Sequence, residues 1–307
     1  MRESPRRAPL DPLVAAFLAD CRARRLSPRT LEHYTWSIRS YRASLPTSPE
    51  AQVLADLDID RARAWAESLS TVRSPASVGN AIAGLKVFSR WLVAEDHLRV
   101  DPIARLRKPR AQPPLILPLS GEQSLALLAA APRPLRGLLA LLLDTGLRIG
   151  EAVALEVDDV RLGFVRVRHA KGGRERLVPY GREMDATLRR YLTRDRPRPA
   201  PGWESTLFLT RSGRPWTPAS VRRAMKRLGE QLGIDDVRVS PHTLRHTFAR
   251  DYLVNGAGEL ALQQALGHRD LAMVRRYVTL ADSDLRAIHA RSSPLDRLQG
   301  DRRGRRT

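Results

Sequence analysis

The sequence predicts a mainly helical protein with a small β-sheet, an α+β chain organised as two domains. Three observations lead there. Apolar residues recur at helical spacing along most of the chain, while strict alternation is confined to the region around residues 164–180. The 307 residues exceed the size of one typical domain, at about 150 residues each. A stretch from His97 to Leu119 holds Pro102, Pro109, Pro113, Pro114 and Pro118 together with Arg105, Arg107, Lys108 and Arg110, a composition that suits a semi-extended basic linker. The boundary falls near residue 112, giving an N-terminal helical domain over 1–111, a second domain over 112–292 and a basic tail over 293–307 that is expected to be disordered.

In the first half, Leu13, Val14, Phe17, Leu18 and Cys21 form one apolar stripe. Ser27 and Pro28 read as N-cap and first position of a second helix. Its buried face is Leu31, Tyr34, Ile38 and Tyr41, and its other face carries Arg29, Arg39 and Arg42. A third helix spans Asp60 to Leu69 around Trp65. Ser74 and Pro75 repeat the start signal ahead of a fourth, which buries Val78, Ile82, Leu85, Phe88 and Leu92 and turns Lys86 and Arg90 outward. Four short amphipathic helices make a small bundle. In the second half, Ser120 with Gln123 forms a capping box before a helix through Leu125 and Leu128, and Pro134 opens another over Leu135 to Leu143. Phe164 to His169 and Arg176 to Tyr180 pair as a β-hairpin around Lys171-Gly172-Gly173. Further helices are expected at Pro218 to Leu232, Pro241 to Val254, Glu259 to Leu266, Leu271 to Val278 and Asp284 to Ala290.

The charge narrows the partner. Lys plus Arg number 53 against 33 Asp plus Glu, a net +20, and a polyanion such as nucleic acid is the leading match. Four of the 53 are lysines and 49 arginines, which together with abundant Ala and Pro reads partly as the codon bias of a GC-rich genome. Arginine nevertheless supplies the planar fork that meets phosphate oxygens two at a time. Cys21 is the single cysteine, so an internal disulfide and a cysteine-based zinc cluster are excluded, in keeping with a reducing cytosol. The basic start has no secretory-type apolar run behind it, and the longest apolar stretch, Leu138 to Leu143, is far short of the roughly 20 residues of a membrane span. A cytoplasmic location is the expectation.

Four segments of the second domain offer phosphate ligands or proton carriers: Thr145-Gly146-Leu147-Arg148-Ile149-Gly150-Glu151, the Lys171 hairpin, Pro241-His242-Thr243-Leu244-Arg245-His246, and Leu266-Gly267-His268 followed nine residues later by Tyr277. Taken singly each has a plainer reading, as a surface arginine, a solvated turn lysine, a basic helix face or a tyrosine at the edge of the core. Lys171 stands out because lysine is about twelvefold rarer than arginine here, and lysine can give up a proton near neutral pH where arginine cannot. His242 and Arg245 lie three apart on a helix opened by Ser240 and Pro241, so they share a face near an end that favours anions. His242 and His246 are four apart, but Thr243 stands where a zinc-protease helix needs Glu, and metal binding is not expected.

In order and spacing these segments resemble the tyrosine recombinases, the phage integrases and Xer recombinases, over most of residues 119–290, and the N-terminal helical domain resembles that family's core-binding domain. The resemblance implies a C-terminal catalytic domain in which Tyr277 is the nucleophile, Arg148, Arg245 and His268 hold the scissile phosphate, Lys171 protonates the departing 5′-oxygen and His242 is a proton acceptor or hydrogen-bond partner near the nucleophile. Glu151 would orient Arg148 or the hairpin, and His246 would pack beneath the site. Attack yields a 3′-phosphotyrosyl link that a second strand's 5′-hydroxyl reverses, so neither ATP nor a metal cofactor is required. The implied partner is a double-stranded recombination site, bound by a tetramer on two sites, with a possible second recombinase and with the C-terminal helix Ser283 to Ala290 passed to a neighbour. Arg29, Arg39, Arg42, Arg73, Lys86 and Arg90 would contact DNA from the N-terminal half. The implied work is chromosome or plasmid resolution, or mobile-element integration and excision, at the nucleoid. Departures from the family pattern are Ala272-Met273 where small hydroxyl residues are usual, and Thr279 where His is common. A type IB topoisomerase shares the chemistry, and a non-catalytic helix-turn-helix protein shares the charge; both remain open at this point.

Overall fold

The computed structural model describes residues 7–110, 117–168 and 175–267. Its first unit, Met1–Pro114, is built on four helices: α1 (Leu10–Ala23), α2 (Pro28–Arg42), α3 (Ile59–Ser70) and α4 (Pro75–Ala94). Both Ser-Pro pairs work as helix starts. The Ser27 hydroxyl accepts the Thr30 N–H at 3.2 Å and Ser74 accepts that of Ser77 at 3.4 Å, each with proline inside the first turn. The buried stripes meet in one core of Leu10, Phe17, Cys21, Ile38, Tyr41, Trp65, Ile82, Leu85, Phe88 and Leu92. In it Phe17 lies 5.3 Å from Phe88 and Tyr41 meets Trp65 edge-on at 5.6 Å.

The stretch expected to be a semi-extended linker begins as part of this core. Ile103 and Leu106 are buried in it, and the Asp101 carboxylate accepts both the Ser89 hydroxyl at 2.5 Å and the Ile103 N–H at 3.0 Å. The prolines and arginines of 97–110 hid two apolar anchors.

The second unit is Leu115–Thr307. The Ser120–Gln123 capping box opens α5 (Gly121–Ala130), with reciprocal bonds of 3.1 and 2.9 Å. Then come α6 (Arg133–Thr145), the short α7 (Ile149–Val153) and a three-stranded antiparallel meander of β1 (Val160–Arg161), β2 (Phe164–Val167) and β3 (Arg176–Pro179), in that order, with Val165 opposite Val178 and Val167 opposite Arg176. The sheet alternates as its sequence does: Val165, Val167 and Val178 enter the core while Phe164 and Leu177 stay exposed. After it follow α8 (Arg182–Arg190), prolonged by a π turn over Tyr191–Asp195, then α9 (Pro218–Gln231), α10 (Pro241–Val254) and α11 (Glu259–Leu266). Leu138, Leu139, Leu141 and Leu142 of α6, Val165 and Val178 of the sheet, Leu207, Phe208, and Val221 and Met225 of α9 form its centre. Strand β1 and helix α8 were not anticipated. The expected helices Leu271 to Val278 and Asp284 to Ala290, and the basic tail, lie outside the described residues. Among the described residues no helix is long and apolar enough to cross a membrane.

Candidate active site

The segment from Thr145 to Glu151 is a compact turn between α6 and α7. The Thr145 hydroxyl donates to the Leu141 carbonyl at 2.5 Å and accepts the Leu147 N–H at 3.4 Å. Gly146 ends α6 in the left-handed region at φ 61°, and a β-carbon there would lie 2.3 Å from Cδ1 of Phe248 on α10. Conformation and space both demand glycine. Leu147 turns into the core, which leaves Arg148 as the N-cap of α7 with its side chain at the surface.

Glu151 then fastens Arg148. Its Oε2 accepts the Arg148 backbone N–H at 3.0 Å and its Oε1 accepts Nη1 of the same residue at 3.1 Å. Arg176, the first residue of β3, approaches the same carboxylate as a fork, Nη1 to Oε1 at 3.1 Å and Nη2 to Oε2 at 2.9 Å. Burial would push the Glu151 carboxyl up. The Arg176 hydrogen bonds and charge, with those of Arg148, outweigh burial and hold it below the usual carboxylate range.

Arg245 is buried, at 3% exposure, on a helix whose inner face is unusually polar: Thr243, His246 and Thr247 are buried beside it. Its Nη1 donates to the Gly146 carbonyl at 2.6 Å and its Nη2 to the Leu266 carbonyl at 2.9 Å. Both acceptors stand at helix C-termini, of α6 and α11, where the carbonyl ends of the helix dipoles favour a cation and compensate its loss of water. The bond to Gly146 joins residues 99 apart in sequence and sets the second arginine against the turn that presents Arg148.

Ser240 caps α10, accepting the Thr243 N–H at 3.2 Å, and so places His242 in the first turn. The ring nitrogens Nε2 of His242 and His246 are 3.2 Å apart, with the rings nearly perpendicular. One proton between them satisfies that contact; two would repel. Burial and the neighbouring His242 and Arg245 charges push His246 down to about 4, and partial burial with the Arg245 charge lowers His242 below its ordinary value. Both rings are therefore neutral near pH 7.

Of the residues picked out in the sequence, the structure thus brings Arg148, Glu151, His242, His246 and Arg245 around the junction of α6, α7, α10 and α11. Lys171, His268 and Tyr277 lie outside the described residues. In the first unit Arg29, Arg39, Arg73 and Arg90 are exposed, and Lys86 donates to the Ala104 carbonyl at 2.7 Å. The Arg42 guanidinium is engaged within the unit, Nε to Gln52 Oε1 at 2.7 Å, Nη1 to Asp11 at 2.5 Å and Nη2 to the Pro49 carbonyl at 2.8 Å, so three of its five N–H groups brace the bundle.

Two features escaped the sequence reading. Arg176 passed as one more strand arginine. The exposed Arg222, Arg223 and Lys226 of α9, with Arg238, line a groove of about 720 Å³ that runs to Ser240 at the start of α10. The signal for the latter was present in Val221-Arg222-Arg223-Ala224-Met225-Lys226-Arg227, where four basic residues cluster on the outward face of a helix ahead of Glu230.

Known proteins resemble this chain along most of its length. The model of the phage integrase family matches residues 118–284. The chain is 30% identical to tyrosine recombinase XerD of Lacticaseibacillus casei over 291 residues, covering 92% of this chain and 98% of that protein. It is 33% identical to tyrosine recombinase XerC of Rhodospirillum centenum, over 89% of this chain and 86% of that one. Among solved structures, the XerA recombinase aligns with a TM-score of 0.51 at 26% identity, over 93% of this chain and 99% of that one. A lambda integrase dimer bound to a COC′ core site aligns with a TM-score of 0.73 at 20% identity, over 89% and 79% of the two chains, a likeness of fold.

Proposed function

The chain belongs to the phage integrase family of tyrosine recombinases, and from that premise we propose that it is a site-specific DNA recombinase whose reacting groups are Arg148, Lys171, His242, Arg245, His268 and Tyr277. The observation that carries the assignment of residues is the 2.6 Å bond from Arg245 to the Gly146 carbonyl, which sets a buried guanidinium beside the turn holding Arg148. Two cations converging there suit one phosphate.

The chemistry follows from the groups. The Tyr277 oxygen attacks the scissile phosphorus, forming a 3′-phosphotyrosyl ester as the bond to the 5′-oxygen breaks. Lys171 delivers a proton to that oxygen, leaving a 5′-hydroxyl. A free phenol has a pKa of about 10 and is a poor nucleophile at pH 7. His242, held neutral, is suited to take the phenolic proton, and the arginines stabilise the charge that builds on the non-bridging oxygens. A 5′-hydroxyl from a partner strand then attacks the phosphotyrosine and releases the tyrosine. The ester energy is conserved through both steps.

Duplex DNA is the substrate, met in the second unit by the basic face of α9 and in the first by Arg29, Arg39, Arg73, Lys86 and Arg90. Strand exchange between two sites needs a tetramer, as in the lambda integrase tetramer bound to a Holliday junction. The first unit then serves as the core-binding domain and the second as the catalytic domain, working in the cytoplasm on the nucleoid. Resolution of chromosomes or plasmids, or movement of an integrating element, is the setting in which such a reaction is used.

The test is direct. A pool of duplexes with randomised arms and a nicked centre is enriched on Tyr277→Phe protein, then incubated with the wild-type chain. A covalent protein–DNA adduct that is absent with Tyr277→Phe supports the reading. Failure of every enriched duplex to form one, or an adduct that persists in the Phe variant, overturns it.

A further inference from the structure

We infer that Arg176 is the positioning residue for Arg148. It holds the Glu151 carboxylate as a fixed bracket and, by sharing that carboxylate's charge, leaves the Arg148 cation available to the phosphate. The inference rests on the proposed function and deepens it. Glu151 is 5% exposed at its side chain and takes four hydrogen bonds, two from Arg148 and two from Arg176. Were Arg148 its sole partner, the two would form a neutral pair, and an anion arriving at Arg148 would have to compete with the carboxylate. With Arg176 added, two positive charges face one negative charge. The cluster keeps a net +1.

Geometry sets the order of rank between the two cations. The Arg176 side chain is 14% exposed and that of Arg148 is 32% exposed, so Arg176 is the inner, fixed partner and Arg148 the outer one that faces a ligand. Arg176 is also wedged. A β-carbon on Gly267 would come within 2.9 Å of its Nε and 3.0 Å of its Cζ, and its buried Nε has no hydrogen-bond partner among the described residues. The fold therefore tolerates an unsatisfied donor to keep a planar fork here, a shape lysine lacks. The site's arrangement gives that fork a use. Arg176 opens β3, the strand that returns from the Lys171 hairpin, and it lies against the residue that precedes His268.

The experiment compares single-turnover adduct formation at saturating protein on the enriched nicked duplex for wild type, Arg176→Lys, Arg148→Lys and the double variant. Arg176→Lys is expected to slow the adduct step about 10- to 100-fold, the size of effect that a small misplacement of a reacting group produces, with the Kd for the duplex unchanged within threefold. The double variant is expected to be no slower than Arg148→Lys within threefold, because both act through one guanidinium. On a duplex with a methylphosphonate at the cleavage step, where the phosphate charge is already neutralised, the gap between Arg176→Lys and wild type should close. A wild-type rate for Arg176→Lys, losses that multiply in the double variant, or a defect confined to Kd would each overturn the positioning role. If Arg176→Lys melts below the assay temperature, Glu151→Gln with Arg176→Gln replaces the ion pair by an amide pair and carries the same comparison. A wild-type rate for Arg148→Lys overturns the assigned site itself, whereas a slow Arg148→Lys beside a normal Arg176→Lys overturns the positioning role alone.

Discussion

His242 and His246 show how much one contact decides. With Nε2 atoms 3.2 Å apart and Arg245 nearby, neither ring gains a proton at the pH where an ordinary histidine does. The sign follows: a base whose pKa is lowered stays competent as the pH falls past the ordinary value of about 6.5 and is lost only below it. Single-turnover adduct formation is accordingly expected to stay within about twofold from pH 8 down to 6.5 and to fall at lower pH; a rate already halved at pH 7 would remove His242 from the role of proton acceptor. The candidates Arg148, Glu151, His242 and Arg245 could be picked out in the sequence because the proposed chemistry calls for particular residue types at short, fixed spacings within two segments. Arg176 was not, because its importance lies in a partner 25 residues away, and among 49 arginines nothing marks the one that shares a carboxylate with Arg148.

Helix α4 carries two glycines with opposite consequences. A β-carbon at Gly84 would lie 2.3 Å from the Ser37 hydroxyl and 2.7 Å from Ser37 Cβ on α2, whereas one at Gly79 would meet Lys108 no closer than 3.8 Å. Helix propensity alone favours alanine at both by about 1 kcal/mol. Packing reverses the sign at Gly84. Gly79→Ala should stabilise the protein by up to about 1 kcal/mol, and Gly84→Ala should destabilise it by about 1–3 kcal/mol, read from urea unfolding at pH 7; equal shifts for the two would refute the close α2–α4 crossing. Elements with their own signals were the legible ones: Ser-Pro starts, the Ser120–Gln123 box and the alternation of Phe164 to Val167. Helix α8 was missed although Met184, Leu188 and Tyr191 recur at helical spacing, because nearly every residue between them is polar. Strand β1 has two residues and is a strand by virtue of its partner, which no local pattern reveals.

Over the whole molecule the +20 charge, discounted at first as codon bias, resolves into classes. Some arginines are internal braces, as Arg42 is; others, such as Arg166 and Arg168 on the buried Asp159, hold the sheet; on α9, Lys226 pairs with Glu230 at 3.4 Å while Arg222 and Arg223 stay exposed. Binding to the enriched duplex is thus expected to weaken about 10³-fold between 50 and 200 mM salt if about six phosphates are contacted. Replacing Arg222 and Arg223 by Gln should flatten the slope of log K against log salt by about 2, followed by fluorescence anisotropy; an unchanged slope would take α9 off the DNA. Length and composition suggest two units, but they do not reveal that the proline-rich stretch begins inside the first one, where buried Ile103 and Leu106 outweigh the prolines around them. The double tether of Arg245 bears on how the protein is made. Gly146 leaves the ribosome 99 residues before Arg245, and Leu266 emerges 21 residues after it. A nascent chain can hold its complete first unit and the Arg148 turn while one of the carbonyls that seat Arg245 does not yet exist. The seat of Arg245 is therefore completed only once both α6 and α11 have been made.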